Sequence, residues 1–379
     1  MRPLVIARMY RYITAMTRRK PEAKLQKGWT TGACAAAGAV ASLRALLSGS
    51  FPDPVTIILP RGQSPSFSLS QQKNGDSWAM AGIIKNAGDD PDITNGAEII
   101  THLKLGNPSQ GIRFLAGEGV GTVTLPGLPL GVGEPAINPG PRRIIADNLK
   151  AVAREYRTGL DLDITVSIPG GEKLALKTMN GRLGIKGGLS VLGTTGVVIP
   201  YSCASWIHSI HRGIDVARAT GLNHIAAATG STSEAALLER LDLPETALID
   251  MGDFAGGLLK YLAKHPFERL TLAGGFAKLS KLASGHMDLH SSRSIVDLVT
   301  LADCAGTVGA DEKTQESIKI ANTAMEALTI AQSADVALGD AVAARARGVA
   351  MATLAGGTEV DVMIFGRTGE LVGRAGEDA

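Results

Sequence analysis

The sequence predicts two domains: an α+β layered domain, then a parallel, Rossmann-like α/β domain. Three observations carry this. The chain has 379 residues, more than one ordinary hydrophobic core organises. Its first half strings together short apolar segments separated by Gly, Asn, Asp and Pro, the pattern of strands and turns. From about residue 190, strand-like and helix-like segments alternate, as in a parallel sheet crossed by helices.

Taken in order, residues 1–25 hold seven Lys or Arg against Glu22 alone and read as a basic N-terminal extension. Arg8 and Arg11 interrupt the apolar run that a secretory signal needs. In GWTTGACAAAGAVAS (28–42), Thr30 or Thr31 caps a helix that runs to about Leu47 and stops at Ser48-Gly49. Its first turns lack bulk, which implies that something comes close. Strand character follows at 55–60, 77–85, 97–105 and 111–117. Prolines open a helix over 138–156, and 162–169 is another strand. Together 26–190 make the α+β substrate-binding domain.

In the Rossmann-like segment, 191–310, WIHSIHRGIDVARATG reads as a helix. Strands at 223–230, 247–254 and 269–276 then alternate with helices at 231–241, 255–265 and AKLSKLAS. Right-handed crossovers place the three strand ends on one edge, where ligands bind in such folds. Residues 311–379 supply helical segments near 311–332 and 335–354 and closing strands, packing back on the core.

Composition excludes several functions. Only 4% of residues are aromatic, which disfavours stacking platforms for nucleic-acid bases. A net charge of +2 gives no basic field for DNA or a membrane surface. No apolar run approaches the roughly 20 residues of a membrane span. Cys34, Cys203 and Cys304 stand far apart without a CxxC pair, which fits a reducing cytoplasm rather than a disulfide framework.

The motifs cluster at the strand ends of the second half. ATGSTSE puts Thr229-Gly230 at a strand end and Ser231 at a helix start; Ser231 and Glu234 also form a capping box, S-x-x-E. Alternatively, the glycine turn and helix N-terminus hold a cofactor carboxylate. IDMGDF offers Asp250, Gly252 and Asp253, with Asp250 lying 20 residues after Gly230, the offset of a ribose-binding acid. G-x-G-x-x-G is absent, so an adenosine ligand without a pyrophosphate fits better than a dinucleotide. Gly274-Gly275 lets a flat ligand approach the third strand end.

Elsewhere, Gly117, Gly119 and Gly121 form either a packed glycine turn or a segment that wraps a substrate. Arg142 and Arg143, with Arg182 and Lys186, are either solvated surface or a clamp for a polycarboxylate. Cys203, His208 and His211 are too few for a metal site, and none is expected. Cys34 is either a packing residue or a thiol activated by a helix N-terminus.

GWTTGACAAAGAVAS, DDPDITNGAEI, GEGVGTVTLPGLPLGVGEPAINPGPRRII, GLSVLGTTGVVIPYS and HIAAATGSTSE occur in this order. In these segments the chain resembles the CbiD family over about residues 26–375. The resemblance implies an α+β two-layer sandwich domain plus a Rossmann-like α/β domain. It implies methyl transfer from S-adenosylmethionine to C1 of cobalt-precorrin-5B, giving cobalt-precorrin-6A in anaerobic cobalamin biosynthesis. Cobalt enters only as part of the tetrapyrrole substrate. Residues 1–25 extend beyond the family's usual start, and Trp29 stands where a smaller aromatic is expected.

The methyl donor is then expected along Thr229, Gly230, Ser231, Asp250, Gly252, Asp253, Gly274 and Gly275. The macrocycle is expected against Thr30, Thr31, Gly32, Gly119, Gly121, Arg142 and Arg143, with free N–H groups at the 30–32 helix start for a substrate carboxylate. No catalytic base is assigned, because positioning dominates when the methyl group is already electrophilic. Expected partners are the tetrapyrrole, a second copy of the chain and, transiently, other enzymes of the pathway; nucleic acid and membrane are not among them. A non-catalytic corrinoid carrier is the rival reading, and a nicotinamide oxidoreductase a weaker one.

Overall fold

The computed structural model describes residues 25–377, in two compact units divided between Ser202 and Cys203. The basic stretch 1–24 lies outside the described residues. Segment 191–202, read from the sequence with the second domain, belongs to the first unit, where Val197–Val198 pairs with Gly28–Trp29.

The first unit is built on helix α1, Thr31–Ser48. Thr30 caps it, its hydroxyl accepting from the Ala33 N–H at 3.2 Å, and Gly49 ends it in the left-handed conformation (φ 80°). Strands β1 (Gln71–Gly75), β2 (Trp78–Ile84), β3 (Glu98–Leu105), β4 (Ile112–Ala116) and β5 (Leu162–Ser167) form a sheet in the order β1-β2-β3-β5-β4. All neighbours are antiparallel except β4 and β5. Alternate residues of β3 (Ile99, Thr101, Leu103) and β5 (Leu162, Ile164, Val166) are buried, the period of a sheet covered on one face. Helix α2, Pro139–Tyr156, completes the core with Ile144, Ile145, Leu149 and Val152.

Close approach of protein to protein explains the small residues of α1. A Cβ on Gly38 would meet Ala81 O and Thr101 Oγ1 at 3.0 Å, and the Thr101 hydroxyl donates to Ala35 O at 2.9 Å. A Cβ on Gly32 would stand 2.8 Å from Pro141 Cγ of α2. Alanine lets the helix backbone lie against both sheet and helix, and 14 of its residues are buried. By length and composition α1 could cross a membrane, but 78% of it is buried inside this unit. Gly32→Val is therefore expected to lower stability by about 1–3 kcal/mol through overpacking. A denaturant midpoint equal to wild type would contradict this packing.

The 55–60 strand is cut to Val55–Thr56, because the Ile58 N–H turns to the Asn148 side chain of α2 at 2.8 Å.

The second unit alternates α3 (Cys203–Ala219), β6 (His224–Ala228), α4 (Ser231–Leu238), β7 (Leu248–Asp250), α5 (Ala255–Leu262), β8 (Arg269–Gly275) and α6 (Phe276–Ala283). Helices α7 (Leu298–Thr307), α8 (Glu312–Lys319), α9 (Ala324–Ser333) and α10 (Leu338–Leu354) follow, then β9 (Glu359–Phe365) and β10 (Leu371–Ala375). The sheet order is β7-β6-β8-β9-β10, parallel but for β10. Thus 311–377 supplies two strands of this sheet. The helix read over 311–332 is two helices, since Thr323 caps a new start by accepting from the Glu326 N–H at 3.1 Å. Helix α7, capped by Asp297, was not read from the sequence. Ile225, Ala227, Leu270, Leu272, Val360, Val362 and Ile364 bury one sheet face against most of the helices, while Ala226, Ala228, Ala273, Met363 and Phe365 face Ala236 and Leu237 of α4.

Candidate functional site

In the second unit the chain passes from β6 to β7 on one side, then returns across β6 to β8 on the other. Such a reversal opens a crevice outside the carboxyl ends of the two strands it separates, here β6 and β8. The eight residues expected to hold the methyl donor gather at this edge of the sheet. Thr229 and Gly230 follow β6, and Ser231 opens α4. Asp250 ends β7, with Gly252 and Asp253 in the turn beyond. Gly274 and Gly275 end β8.

Backbone bonds hold these ends together: Thr229 N–H donates to Ala273 O at 2.9 Å and Met251 N–H to Ala228 O at 3.0 Å. The Asp250 carboxylate accepts from Gly252 N–H at 3.2 Å, and its carbonyl accepts from the Trp206 indole at 3.2 Å. Gly252 takes φ 53°, a left-handed turn that glycine accommodates without strain. Gly274 is a packing glycine, since a Cβ there would press on Thr229 and Leu279. Gly275 is different: a Cβ there would meet nothing within 4 Å, leaving space at the cap of α6.

One expectation is corrected here. Ser231 does not cap α4; Gly230 holds the cap position and supplies no side-chain bond. Buried Glu234 donates its N–H to Gly230 O at 2.9 Å, and Ser233 Oγ donates to the same oxygen at 2.8 Å. The S-x-x-E box is therefore not formed.

In the first unit, the residues expected against the macrocycle, Arg143 apart, pack against or bond other parts of the protein. Thr30, Thr31 and Gly32 are buried, and Gly32 N–H donates to Leu192 O at 3.2 Å, so this N–H already has a protein acceptor. Gly119 N–H donates to Glu172 at 2.7 Å and Gly121 N–H to Leu189 O at 2.9 Å. Gly119 (φ 70°) lies against the backbone of Ile168 and Gly171, so this segment is a packed glycine crossing. Arg142 pairs with Glu134 at 2.6 Å, donates to Ile137 O at 2.7 Å and lies over the Phe114 ring. Neighbouring Arg143 is exposed.

Burial pushes the Cys34 thiol up to about 12, so a helix start does not activate it. Cys304 is also buried, and Cys203 is exposed. A thiol reagent should therefore titrate one cysteine rapidly in the native protein and all three after denaturation; rapid native reaction of two would contradict the burial. His211 stacks on Tyr261 at 4.0 Å with Nε2 3.2 Å from Gly257 O, and burial lowers the His208 pKa. Among the described residues no three His, Cys, Asp or Glu are gathered to hold a metal ion.

Comparison with known proteins decides the family. The CbiD sequence profile matches residues 18–200, and the profile described as CbiD, C-terminal domain, matches 288–376. A cobalt-precorrin-5B C(1)-methyltransferase of Brucella anthropi is 54% identical over 363 residues, 95% of this chain and 99% of that protein. One of the same name from Paramagnetospirillum magneticum is 56% identical over 355 residues, 93% of this chain and 99% of that protein. The chain belongs to the CbiD family. A crystal structure of a cobalamin biosynthesis protein (CbiD) from Archaeoglobus fulgidus is 30% identical and covers 71% of this chain and 83% of that one, with a TM-score of 0.39. In this CbiD chain the carboxyl-edge residues 229–275 lie between the two profile matches and within the span shared with the Brucella protein.

Two groups escaped the sequence reading of this family member. Lys85, 2% exposed, pairs with Asp92, bonds Thr94 Oγ1 and lies 3.4 Å from Thr31 Oγ1. No spacing rule couples an acid in the DDPDITNG turn to a lysine that follows a strand. Lys278 of α6 donates to Thr229 O at 2.7 Å and lies 3.0 Å from Asp253 Oδ1. A lysine in the first turn of a helix, where acids are favoured, was the available signal.

Proposed function

We infer that this chain methylates C1 of cobalt-precorrin-5B to give cobalt-precorrin-6A in anaerobic cobalamin biosynthesis, with S-adenosylmethionine as donor. The observation that carries the reaction is the 54% identity, over 95% of the chain, to a protein of that name. The donor and its seat are our reading of the second unit as a Rossmann-like domain, with the first as a two-layer α+β domain.

The residues at the β6/β8 edge suit such a donor. Asp250 offers a carboxylate at a strand end, the chemistry that takes ribose hydroxyls. Space beside Gly275 admits a flat or extended group. Asp253 adds a second carboxylate in the turn after β7, its side chain 16% exposed and 3.0 Å from the Lys278 ammonium. No glycine fingerprint for a pyrophosphate is present, which supports a nucleoside over a dinucleotide.

S-adenosylmethionine supplies an electrophilic methyl group, which needs no activation by a nucleophilic side chain. The chain's contribution is then binding, orientation and exclusion of water. The short β6–α4, β7–α5 and β8–α6 connections supply the residues of this seat. In the first unit, exposed Arg143 is available to a substrate carboxylate, whereas Arg142 is held by Glu134. We place the protein in the cytoplasm, consistent with its three unpaired cysteines.

The test is calorimetric titration with S-adenosylhomocysteine, alone and with a cobalt tetrapyrrole. Saturable binding of both is expected. Tetrapyrrole binding with no response to S-adenosylhomocysteine under either condition would favour the carrier.

A further inference from the structure

We propose that Lys278 and Asp253 form the seat for the amino-acid end of the methyl donor, Lys278 taking its carboxylate and Asp253 its ammonium group. The proposal rests on the reading of the β6/β8 edge as the donor site. Lys278 lies in the first turn of α6, which contains no acid and whose cap, Gly275, adds no side-chain bond. A cation is disfavoured there, because the helix dipole already makes that end positive. The position therefore combines two sources of positive potential beside the open space at Gly275.

The lysine is held, yet still has a donor to offer. Its ammonium bridges the end of β6 and the turn after β7, donating to Thr229 O at 2.7 Å and lying 3.0 Å from Asp253 Oδ1. An ammonium has three N–H donors, and only the bond to Thr229 is well aligned. The contact with Asp253 is an ion pair without hydrogen-bond geometry, leaving Oδ1 buried with no hydrogen bond. Buried carboxylate oxygens normally accept one, so this atom needs explanation. The Lys278 side chain is 35% exposed, so a ligand carboxylate reaches it directly; Asp253 is 16% exposed with Oδ1 buried, so its oxygen opens to the ligand ammonium as Lys278 turns toward the ligand carboxylate. Lys281, one turn on, is committed to Leu289 O at 2.8 Å and does not compete for a ligand.

An α-amino acid end carries a carboxylate and an ammonium group on one carbon. A lysine and an aspartate 3.0 Å apart match that pair charge for charge. Each protein group gains an opposite charge, and the acid gains the hydrogen bond it lacks.

The experiment compares two probes in full-length protein: S-adenosylhomocysteine and 5′-methylthioadenosine, which keeps the adenosine and sulfur but lacks the amino-acid end. Wild type should prefer S-adenosylhomocysteine. Lys278→Met should weaken it at least tenfold while changing 5′-methylthioadenosine by less than twofold, and Asp253→Asn should act likewise. Lys278→Arg, which keeps the charge, should retain most of the preference, and Asp253→Asn reads the loss if Lys278→Met does not fold. Equal weakening of both probes, or no weakening of either, would overturn the proposal and leave the donor site standing. Wild type binding both probes equally would do the same, whereas binding of neither would overturn the donor site as well.

Discussion

Lys85→Met is expected to destabilise the first unit by about 3–5 kcal/mol, the penalty for stranding one member of a buried ion pair. Lys85 is 2% exposed and stands at the end of β2, where its ammonium reaches Asp92, Thr94 and Thr31. The substitution keeps most of the stem's volume and removes the charge, so Asp92 is left with only Thr94, whose N–H and hydroxyl donate to it at 2.7 and 2.6 Å. Burial pushes the Asp92 carboxyl up, but the Lys85 charge and the bonds from Lys85 and Thr94 outweigh it and hold the group below the usual range. A depressed folded-state pKa contributes stability that is present above the unfolded value of about 4 and lost as pH falls through the folded value. The deficit of Lys85→Met should therefore be largest near neutral pH and shrink in acid, where Asp92 is protonated. Denaturant unfolding of both proteins across pH measures this; a constant deficit would show that the ion pair is not its cause.

Asp250→Ala is expected to weaken S-adenosylhomocysteine by about 2–3 kcal/mol, roughly 30- to 150-fold, the loss of charge-assisted bonds to a ribose diol. The substitution removes the side chain's part-buried bond to Gly252 N–H but keeps the backbone carbonyl that holds the indole of Trp206. Calorimetry should show weaker binding in a variant that still unfolds cooperatively. Retained affinity would keep the reaction but move the ribose away from β7.

The parts of this fold legible in the sequence are those that local rules govern. Thr30 and Gly49 bracket α1 because caps are local, and β3 and β5 show their period of two directly. The carboxyl edge of the second unit was legible because strand, glycine turn and helix recur three times there. What was not legible depends on tertiary partners. Gly32 and Gly38 of α1 face Pro141 and Thr101, and nothing in 28–42 says whether a protein wall or a ligand meets them. Nothing in NPGPRR says that Glu134 and the Ile137 carbonyl partner Arg142. The Ser231 box failed because the chain enters α4 through an extended Gly230, one residue earlier than the pattern requires. Lys85 and Lys278 escaped because each acts with an acid on another element.

The most direct measurement incubates the protein with cobalt-precorrin-5B and S-adenosylmethionine carrying a 13C-labelled methyl group. The account predicts one labelled methyl at C1 of the product, by mass and carbon NMR, with one S-adenosylhomocysteine formed for each. A tetrapyrrole recovered without label, or labelled at another carbon, would contradict it.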